Sequence, residues 1–393
     1  MKADELRIST FVPPFFRCPI SLEVMRDPVS LCTGVTYDRA NIEKWLDLGK
    51  NVCPATMEPL QNLEIVPNHT LRRLIQEWCV SKGLDRIPTP KSPANPSKLN
   101  RMLQDMSTES DNNRALETLA TLKTLAKSSP RNRKCMLSVG ILRPLAQLIL
   151  GSENREILAQ AVGIVACFDS LDDATRGLLR GPSLLKSLLT LLGSDNKEAR
   201  MSAAILVEYL TRDRTSAREM GSSEGLIEGL ISVVREELEE SVSAGFGALF
   251  NLCVVGRNRM RIAEAPDAVC ALTDVINGGG DKKLREKCLG VLDALSTTAE
   301  GRAAIDDHTL ALPAVVKSLL CVSESADEYS VGILWRICFK SGEENGFNED
   351  LLTGAFKKLL VFVQIDSASP TTKAKANQLL KLFSPMRHSH ASS

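Results

Sequence analysis

Two Cys-Pro dipeptides, Cys18-Pro19 and Cys53-Pro54, are the first residues of this 393-residue chain that invite a chemical reading. With Cys32, Cys79 and His69 they supply all the soft donors of its first 85 residues. A zinc site needs thiolates or imidazoles clustered about 2 Å from the metal. Here the cysteines follow one another at intervals of 14, 21 and 26 residues with no Cys-x-x-Cys pair, so the spacing points to a metal-free domain. One Cys3His site drawn from Cys18, Cys32, Cys53, Cys79 and His69 is the metal-bound alternative. Cys53 could instead act as a nucleophile, but that needs a neighbouring base or charge to activate it. No His or Asp partner is recognisable beside it. No Gly-rich phosphate loop or paired-carboxylate motif stands out elsewhere, and the basic cluster RNRMR (257–261) reads as a solvated face rather than a nucleic-acid patch.

The elements that would position these residues are legible around them. DPVSLCTGVTYD (27–38) alternates as a two-stranded hairpin with Thr33-Gly34 at the turn, where Gly tolerates positive φ. Asp38 is placed to cap a short helix, RANIEKWLDLG, that Gly49 stops. Asn68, after Pro67, is placed to cap a second helix whose Leu71, Leu74, Ile75, Trp78 and Cys79 share one face as a buried stripe. This makes a ββα-centred domain over residues 11–85. A proline-rich stretch follows, RIPTPKSPANPS, with Pro88, Pro90, Pro93 and Pro96, and reads as a linker over 86–97.

Beyond the linker the chain repeats. Arg133, Arg176, Arg218, Arg259 and Arg302 are separated by 43, 42, 41 and 43 residues, and twelve residues after each an apolar helical run begins. Small residues in the helices ahead of these points, such as Ala203, Gly247, Gly290 and Gly332, would let helices approach closely. A helix-only period near 42 indicates an armadillo- or HEAT-type solenoid. Residues 98–384 hold about six such units, with leading helices as an N-terminal cap, and 385–393 reads as a disordered tail.

Composition sets the remaining bounds. Lys plus Arg equals Asp plus Glu at 48 each, which excludes a global field for nucleic acid or anionic membrane. MKADELRIST lacks the apolar core of a secretory signal, and no run approaches a membrane span, so the expectation is a soluble intracellular chain. The odd count of 11 scattered cysteines argues against a disulfide framework and for buried thiols.

The order of first Cys-Pro loop, hairpin, Trp-bearing helix, second Cys-Pro loop and PNHTLRRLIQEWC helix resembles the U-box, the metal-free relative of the RING finger. With the Pro-rich linker and the armadillo repeats, the chain resembles the plant U-box/armadillo-repeat ubiquitin ligase family. RIPTPK and PNHTLRRLIQEWC look especially like its stress- and immunity-related branch. The resemblance spans nearly the whole chain, specific over 11–90 and mainly periodic over 97–384. It implies a mainly α fold: a small metal-free U-box (ββα, RING-like) domain followed by an armadillo-type α-solenoid. U-boxes replace the metals with hydrogen bonds and salt bridges. Glu23, Asp27, Ser30, Thr33, Thr36, Asp38, Arg39 and Glu43 are the candidates here, unpaired as far as the sequence goes.

The implied activity is that of a RING-type ubiquitin transferase with no catalytic cysteine and no cofactor, which works by positioning. The implied partners are a ubiquitin-conjugating enzyme, ubiquitin and a protein substrate held by the repeats. Ile20 matches the family's first-loop contact with the conjugating enzyme, with Leu22 beside it. Trp45 matches the contact on the helix and Pro54 that on the second loop. Met57 stands where many members carry an Arg or Lys that bridges the conjugating enzyme and ubiquitin and so restrains ubiquitin, and Met has no hydrogen to donate. The competing class is therefore an armadillo adaptor that binds the machinery with little transfer of its own. An import-receptor groove is not expected, since Asn251 and Trp335 form no Trp-x-x-x-Asn ladder. The expected compartment is the cytoplasm, with the nucleus second. The family includes monomers and homodimers, so oligomeric state stays open.

Overall fold

In the computed structural model, which describes residues 12–82, 95–108, 112–168, 171–236, 238–279, 281–340, 349–365 and 368–390, the chain divides into two units, Met1–Ala94 and Asn95–Ser393. In the first, Gly34 takes φ +78° and turns the chain between β1 (Pro28–Ser30) and β2 (Thr36–Asp38). The expected hairpin gains a third strand: β3 (Val66–Pro67) pairs antiparallel with β1, giving the order β2-β1-β3. Two residues carry no alternation to read, and a proline is tolerated on a sheet edge. The Asn68 N–H then continues the contact, donating to the Pro28 carbonyl at 2.9 Å.

Two helices complete this unit, α1 (Arg39–Asp47) and α2 (His69–Ser81). Asn68 caps α2 as expected, its Oδ1 accepting from the Leu71 N–H at 3.0 Å. Asp38 does not cap α1 with its side chain. Its Oδ1 accepts instead from the N–H groups of Arg26 and Asp27 at 3.0 and 2.8 Å, because the strand before α1 turns the carboxylate towards the preceding loop. The apolar stripe of α2 is narrower than expected: Ile75 and Cys79 are buried, Leu71 and Trp78 half-buried, and Leu74 is 48% exposed. A three-stranded sheet of two- and three-residue strands covers only a thin arc of a helix. The core that results is centred on Phe16, Met25, Val29, Tyr37, Ile42 and Ile75.

The stretch read as a linker, 86–97, lies outside the described residues up to 94. Its end is a helix rather than linker, since α3 (Pro96–Thr108) begins at Pro96. Proline suits the first helical position, and Asn95 Oδ1 accepts from the Ser97 N–H at 2.9 Å. After α4 (Asn112–Ser128) come α5 (Pro130–Ser138), α6 (Leu142–Gly151) and α7 (Arg155–Val165). The same three-helix unit recurs as α8 (Asp173–Leu178), α9 (Pro182–Leu192) and α10 (Lys197–Leu210), then α11 (Arg214–Gly221), α12 (Leu226–Val234) and α13 (Glu239–Leu252). It recurs again as α14 (Gly256–Glu264), α15 (Ala268–Asn277) and α16 (Lys282–Leu295), then α17 (Ala299–Asp307), α18 (Ala311–Ser318) and α19 (Glu324–Lys340). α20 (Glu349–Phe362) and α21 (Pro370–His390) close the array. The tail expected from 385 is thus helical as far as His390. No glycine stops α21 after Phe383, and the helix continues through Pro385 to His390. Among the described residues no single helix is long and apolar enough to cross a membrane.

The periodic arginines have a physical explanation. Arg133, Arg259 and Arg302 donate to the carbonyls of Ala126, Cys253 and Ser296 at 3.1, 2.7 and 3.3 Å, satisfying helix ends that have no intrahelical donor. Arg176 likewise donates to the Leu171 carbonyl at 2.8 Å, whereas Arg218 is exposed. Buried Asn258 does similar work, with Nδ2 donating to both Leu252 and Ala217 carbonyls at 3.0 Å. Lys358 ends α18, its Nζ donating to the carbonyls of Val316, Lys317 and Leu319 at 3.0, 2.8 and 2.9 Å.

The third helices α4, α7, α10, α13, α16, α19 and then α21 pack successively on one another. Their register is constant: Glu208 lies over Gly247, Phe250 over Gly290 and Asp293 over Gly332, equivalent residues of successive third helices meeting in each case. A Cβ on Gly290 would stand 2.5 Å from the Phe250 ring. At Gly301 a Cβ would collide with the Leu295 backbone carbonyl, which cannot move without unwinding α16. Gly301→Ala should therefore lower the solenoid's stability by about 1–3 kcal/mol in denaturant unfolding. Gly256→Ala, where a Cβ meets nothing within 4 Å, should stay within about 0.5 kcal/mol of wild type.

Candidate functional site

The two Cys-Pro loops of the first unit have the same backbone. In the first, CPISLE, the Leu22 N–H donates to the Cys18 carbonyl and the Cys18 N–H to the Glu23 carbonyl, both at 2.8 Å. In the second, CPATME, the Met57 N–H donates to the Cys53 carbonyl and the Cys53 N–H to the Glu58 carbonyl, again both at 2.8 Å. Isolated bridges, Arg17 to Val24 and Val52 to Pro59, close the two loops. Leu22 and Met57 both lie in the left-handed region, at φ 61° and 60°. The signal was present in the sequence as Cys-Pro-x-Ser/Thr-x-Glu, repeated 35 residues apart. Reading the cysteines for metal spacing alone passes over it.

Each loop is wound around its buried cysteine sulfur. Cys18 Sγ accepts from the Asp38 N–H at 3.3 Å and from Asn41 Nδ2 at 3.6 Å. Cys53 Sγ lies 3.0 Å from the Tyr37 hydroxyl and accepts from Thr33 Oγ1 at 3.4 Å. The Tyr37 oxygen also accepts from the Ala55 N–H at 3.1 Å, which leaves its own proton for the sulfur. Burial pushes the Cys53 thiol up, but donors from Thr33, Thr56 and Tyr37 outweigh it and hold the thiol at about 6. The same contest at Cys18, burial against the N–H groups of Asp38, Ser21 and Ile20, ends below the usual thiol range. Burial, and next the adjacent Cys53, raise the Tyr37 hydroxyl well above its usual range, so it stays a donor. Among the described residues no three His, Cys, Asp or Glu side chains group as metal ligands. Cys79 is in the core and His69 is exposed at the start of α2. Cys53, fully buried, cannot reach a thioester.

The polar residues singled out from the sequence now have partners. Ser30 and Thr36 face each other across the hairpin at 2.8 Å, and Asn68 Nδ2 reaches both at 3.5 Å. Arg39 pairs with Asp27 at 2.6 Å and with Glu43 at 3.8 Å, all three side chains mostly buried. Glu23 contributes its backbone carbonyl rather than its carboxylate.

α1 ties the two loops together. Asn41 and Trp45, one turn apart, share a face: Asn41 Nδ2 donates to Ser21 Oγ at 3.0 Å in the first loop, and Trp45 Nε1 to the Val52 carbonyl at 2.9 Å before the second. Ile20 is 37% and Leu22 66% exposed on the first loop, Trp45 and Pro54 are half-buried, and Met57 is 67% exposed on the second. The Lys50 ammonium lies 3.9 Å from the centroid of the Trp45 ring. Sequence reasoning singled out the apolar residues and missed Tyr37 and Asn41, which organise the loops beneath them. The site presents apolar side chains on tied loops and no activated nucleophile.

The comparisons with known proteins match both units. The family "U-box domain" matches residues 12–83 and "Plant U-box protein ARM repeat region" residues 98–392. "U-box domain-containing protein 25" of Arabidopsis thaliana is 34% identical, over 97% of this chain and 93% of its own. "E3 ubiquitin-protein ligase PUB23" of the same plant is 31% identical, over 94% and 92%. The solved structure of UNC-45 from Drosophila melanogaster, 18% identical, superimposes over 75% of this chain and 41% of its own with a TM-score of 0.54, a likeness of fold alone.

The Cys53 hub ties stability to pH. Its folded pKa lies below the model-compound thiol value of 9.0, so its contribution is complete above that value and is lost as pH falls through about 6. The thiolate's ultraviolet absorbance, taken as the difference between wild type and Cys53→Ser, should titrate near pH 6. Thermal stability should rise more steeply from pH 6 to pH 9 in wild type than in Cys53→Ser.

Proposed function

Because the chain belongs to the plant U-box/armadillo-repeat family of ubiquitin ligases, a family of ubiquitin transferases, we propose that its U-box docks a charged ubiquitin-conjugating enzyme on the face bounded by the two Cys-Pro loops and α1. The observation that carries this reading is the pair of hydrogen bonds by which Asn41 and Trp45 hold both loops to one helix face, with Ile20 and Leu22 exposed on the first loop, Pro54 half-buried on the second and Trp45 half-buried on the helix. A rigid apolar platform suits an enzyme that contributes positioning rather than covalent chemistry. The buried position of Cys53 agrees with transfer directly from the conjugating enzyme to a substrate lysine.

The substrate is taken by the stacked third helices, whose exposed Phe250 and Phe339 supply apolar contacts. The likeness of RIPTPK and PNHTLRRLIQEWC to the stress- and immunity-related branch supports a role in plant stress or defence signalling, in the cytoplasm and the nucleus. Met57 favours a second reading in which docking proceeds but transfer is weak, because a thioether gives ubiquitin no hydrogen-bond donor.

The test is self-ubiquitination with activating enzyme, a panel of conjugating enzymes, ubiquitin and ATP. Ile20→Ala and Trp45→Ala should each cut chain formation by about tenfold or more, with the helical circular-dichroism signal unchanged. Met57→Arg should raise it, and a zinc chelator should leave it intact. Full activity in both alanine variants would sink the docking face, and no product with any conjugating enzyme would leave the adaptor reading.

A further inference from the structure

We infer that the solenoid carries a separate recognition site for proteins, a cleft between α8, α9 and α11 that takes an arginine side chain of a partner. It shares no residue with the docking face and stands whether or not the third helices take the substrate. Its origin lies in one irregular repeat. From the N-cap of the first helix to the start of the second is 13 residues in four units, Ser129 to Leu142, Asp213 to Leu226, Val255 to Ala268 and Thr298 to Ala311. From Asp172 to Pro182 it is 10. α8 therefore ends after six residues, and Gly181 turns the corner at φ 90° and ψ −176°, a conformation essentially closed to residues with a side chain. The shortened corner leaves a cleft of about 350 Å³ walled by Leu184, Leu185, Leu210 and Met220, with Arg180 and Glu219 exposed on its rim.

The next corner of the same solenoid shows what such a place holds when it is filled. There α14 is tied to α11 and the turn after it. Asn258 Nδ2 donates to the Ala217 carbonyl at 3.0 Å, and Arg261 donates from Nη1 to the Gly221 carbonyl and from Nη2 to the Ser223 carbonyl, the latter at 3.1 Å. Counted from the N-caps Asp213 and Val255, Ser216 and Glu219 of α11 hold the positions of Asn258 and Arg261. Neither side chain ties α11 to α8. Ser216 Oγ donates to its own cap, Asp213 Oδ2, at 3.0 Å, and an ionised Glu219 has no hydrogen to donate. The place of a guanidinium is thus open and edged by a carboxylate.

The charges on the rim select the occupant. Arg180 lies 3.7 Å from Asp213, so those two offset each other, and Glu219 has no ion pair among the described residues. An arginine suits both parts of the cleft. Its methylene stem covers apolar walls while its planar head stays at the wet rim and meets a carboxylate through two parallel hydrogen bonds. The size agrees, since about 350 Å³ is the low end of the roughly 300–1,000 Å³ of small-molecule pockets and suits one side chain better than a whole ligand.

The experiment selects short random peptides displayed on phage against the full-length chain and sorts them by loss of binding to Glu219→Arg, in which the chain's own guanidinium fills the cleft. The peptides lost should share an arginine. In a synthetic copy of the strongest, replacing that arginine with citrulline, which keeps the shape and removes the charge, should weaken binding by about tenfold. Glu219→Gln should weaken the arginine peptide to a similar degree and leave the citrulline peptide within about twofold. Glu219 is exposed, so thermal unfolding of both variants should match or exceed wild type, which separates a changed cleft from a lost fold. A shared aromatic or aliphatic residue in place of the arginine would overturn the inference, as would equal affinity for the arginine and citrulline peptides. A selection in which no peptide depends on Glu219 would overturn it too.

Discussion

The hydrogen bond between the Tyr37 hydroxyl and Cys53 Sγ is the interaction on which the first unit depends. Strands of two and three residues and two short helices bury too little apolar surface to hold two exposed loops in place. Polar ties must do it, and they work best where water is excluded. The buried sulfurs of Cys18 and Cys53 provide the centres, and Tyr37, the largest fully buried side chain of the unit, carries donors and acceptors to the second of them. The Asp27–Arg39–Glu43 and Ser30–Thr36–Asn68 groups extend the same strategy outward from the sheet. Removing any one partner would leave the others buried and unsatisfied, which costs more than the bond itself contributes.

The repeats solve a different problem. No three-helix unit can bury its own apolar faces, so each is completed by its neighbours. That places two demands on every unit. Its helix ends need donors, supplied by arginines at a constant phase and by Asn258, and its third helix needs room for a side chain from the unit before, supplied by residues such as Gly290. The periodicity of the sequence is the record of both demands. Arg218, by contrast, is exposed, and beside it the Asn258 amide ties the Ala217 carbonyl to the following unit.

The two units divide the work of a ubiquitin ligase by the kind of surface each makes. Tied loops hold a few apolar side chains in fixed positions, which suits recognition of one class of enzyme. A stack of helices offers an extended surface whose composition changes from one repeat to the next. Neither needs a reactive group, and the sulfur best suited to be one, Cys53, is committed to structure by its burial and by the Thr33 and Tyr37 hydroxyls.

The amino-acid order by itself determined the fold class, the repeat, the turn at Gly34 and the Asn68 cap. These follow from local rules, namely periodicity, turn chemistry and capping, that act within a few residues of chain. It did not determine the partners of the polar residues, the strand at Val66–Pro67, the exposure of Leu74 or the first-loop role of the Asp38 carboxylate. Each of those joins segments that lie far apart in the chain, or depends on how much of a helix a small sheet can cover. The equivalence of the two Cys-Pro loops stands between the two cases. Its residues are plain in the sequence, but only the folded backbone, with Leu22 and Met57 in one conformation on loops tied to one helix, makes them the same site twice.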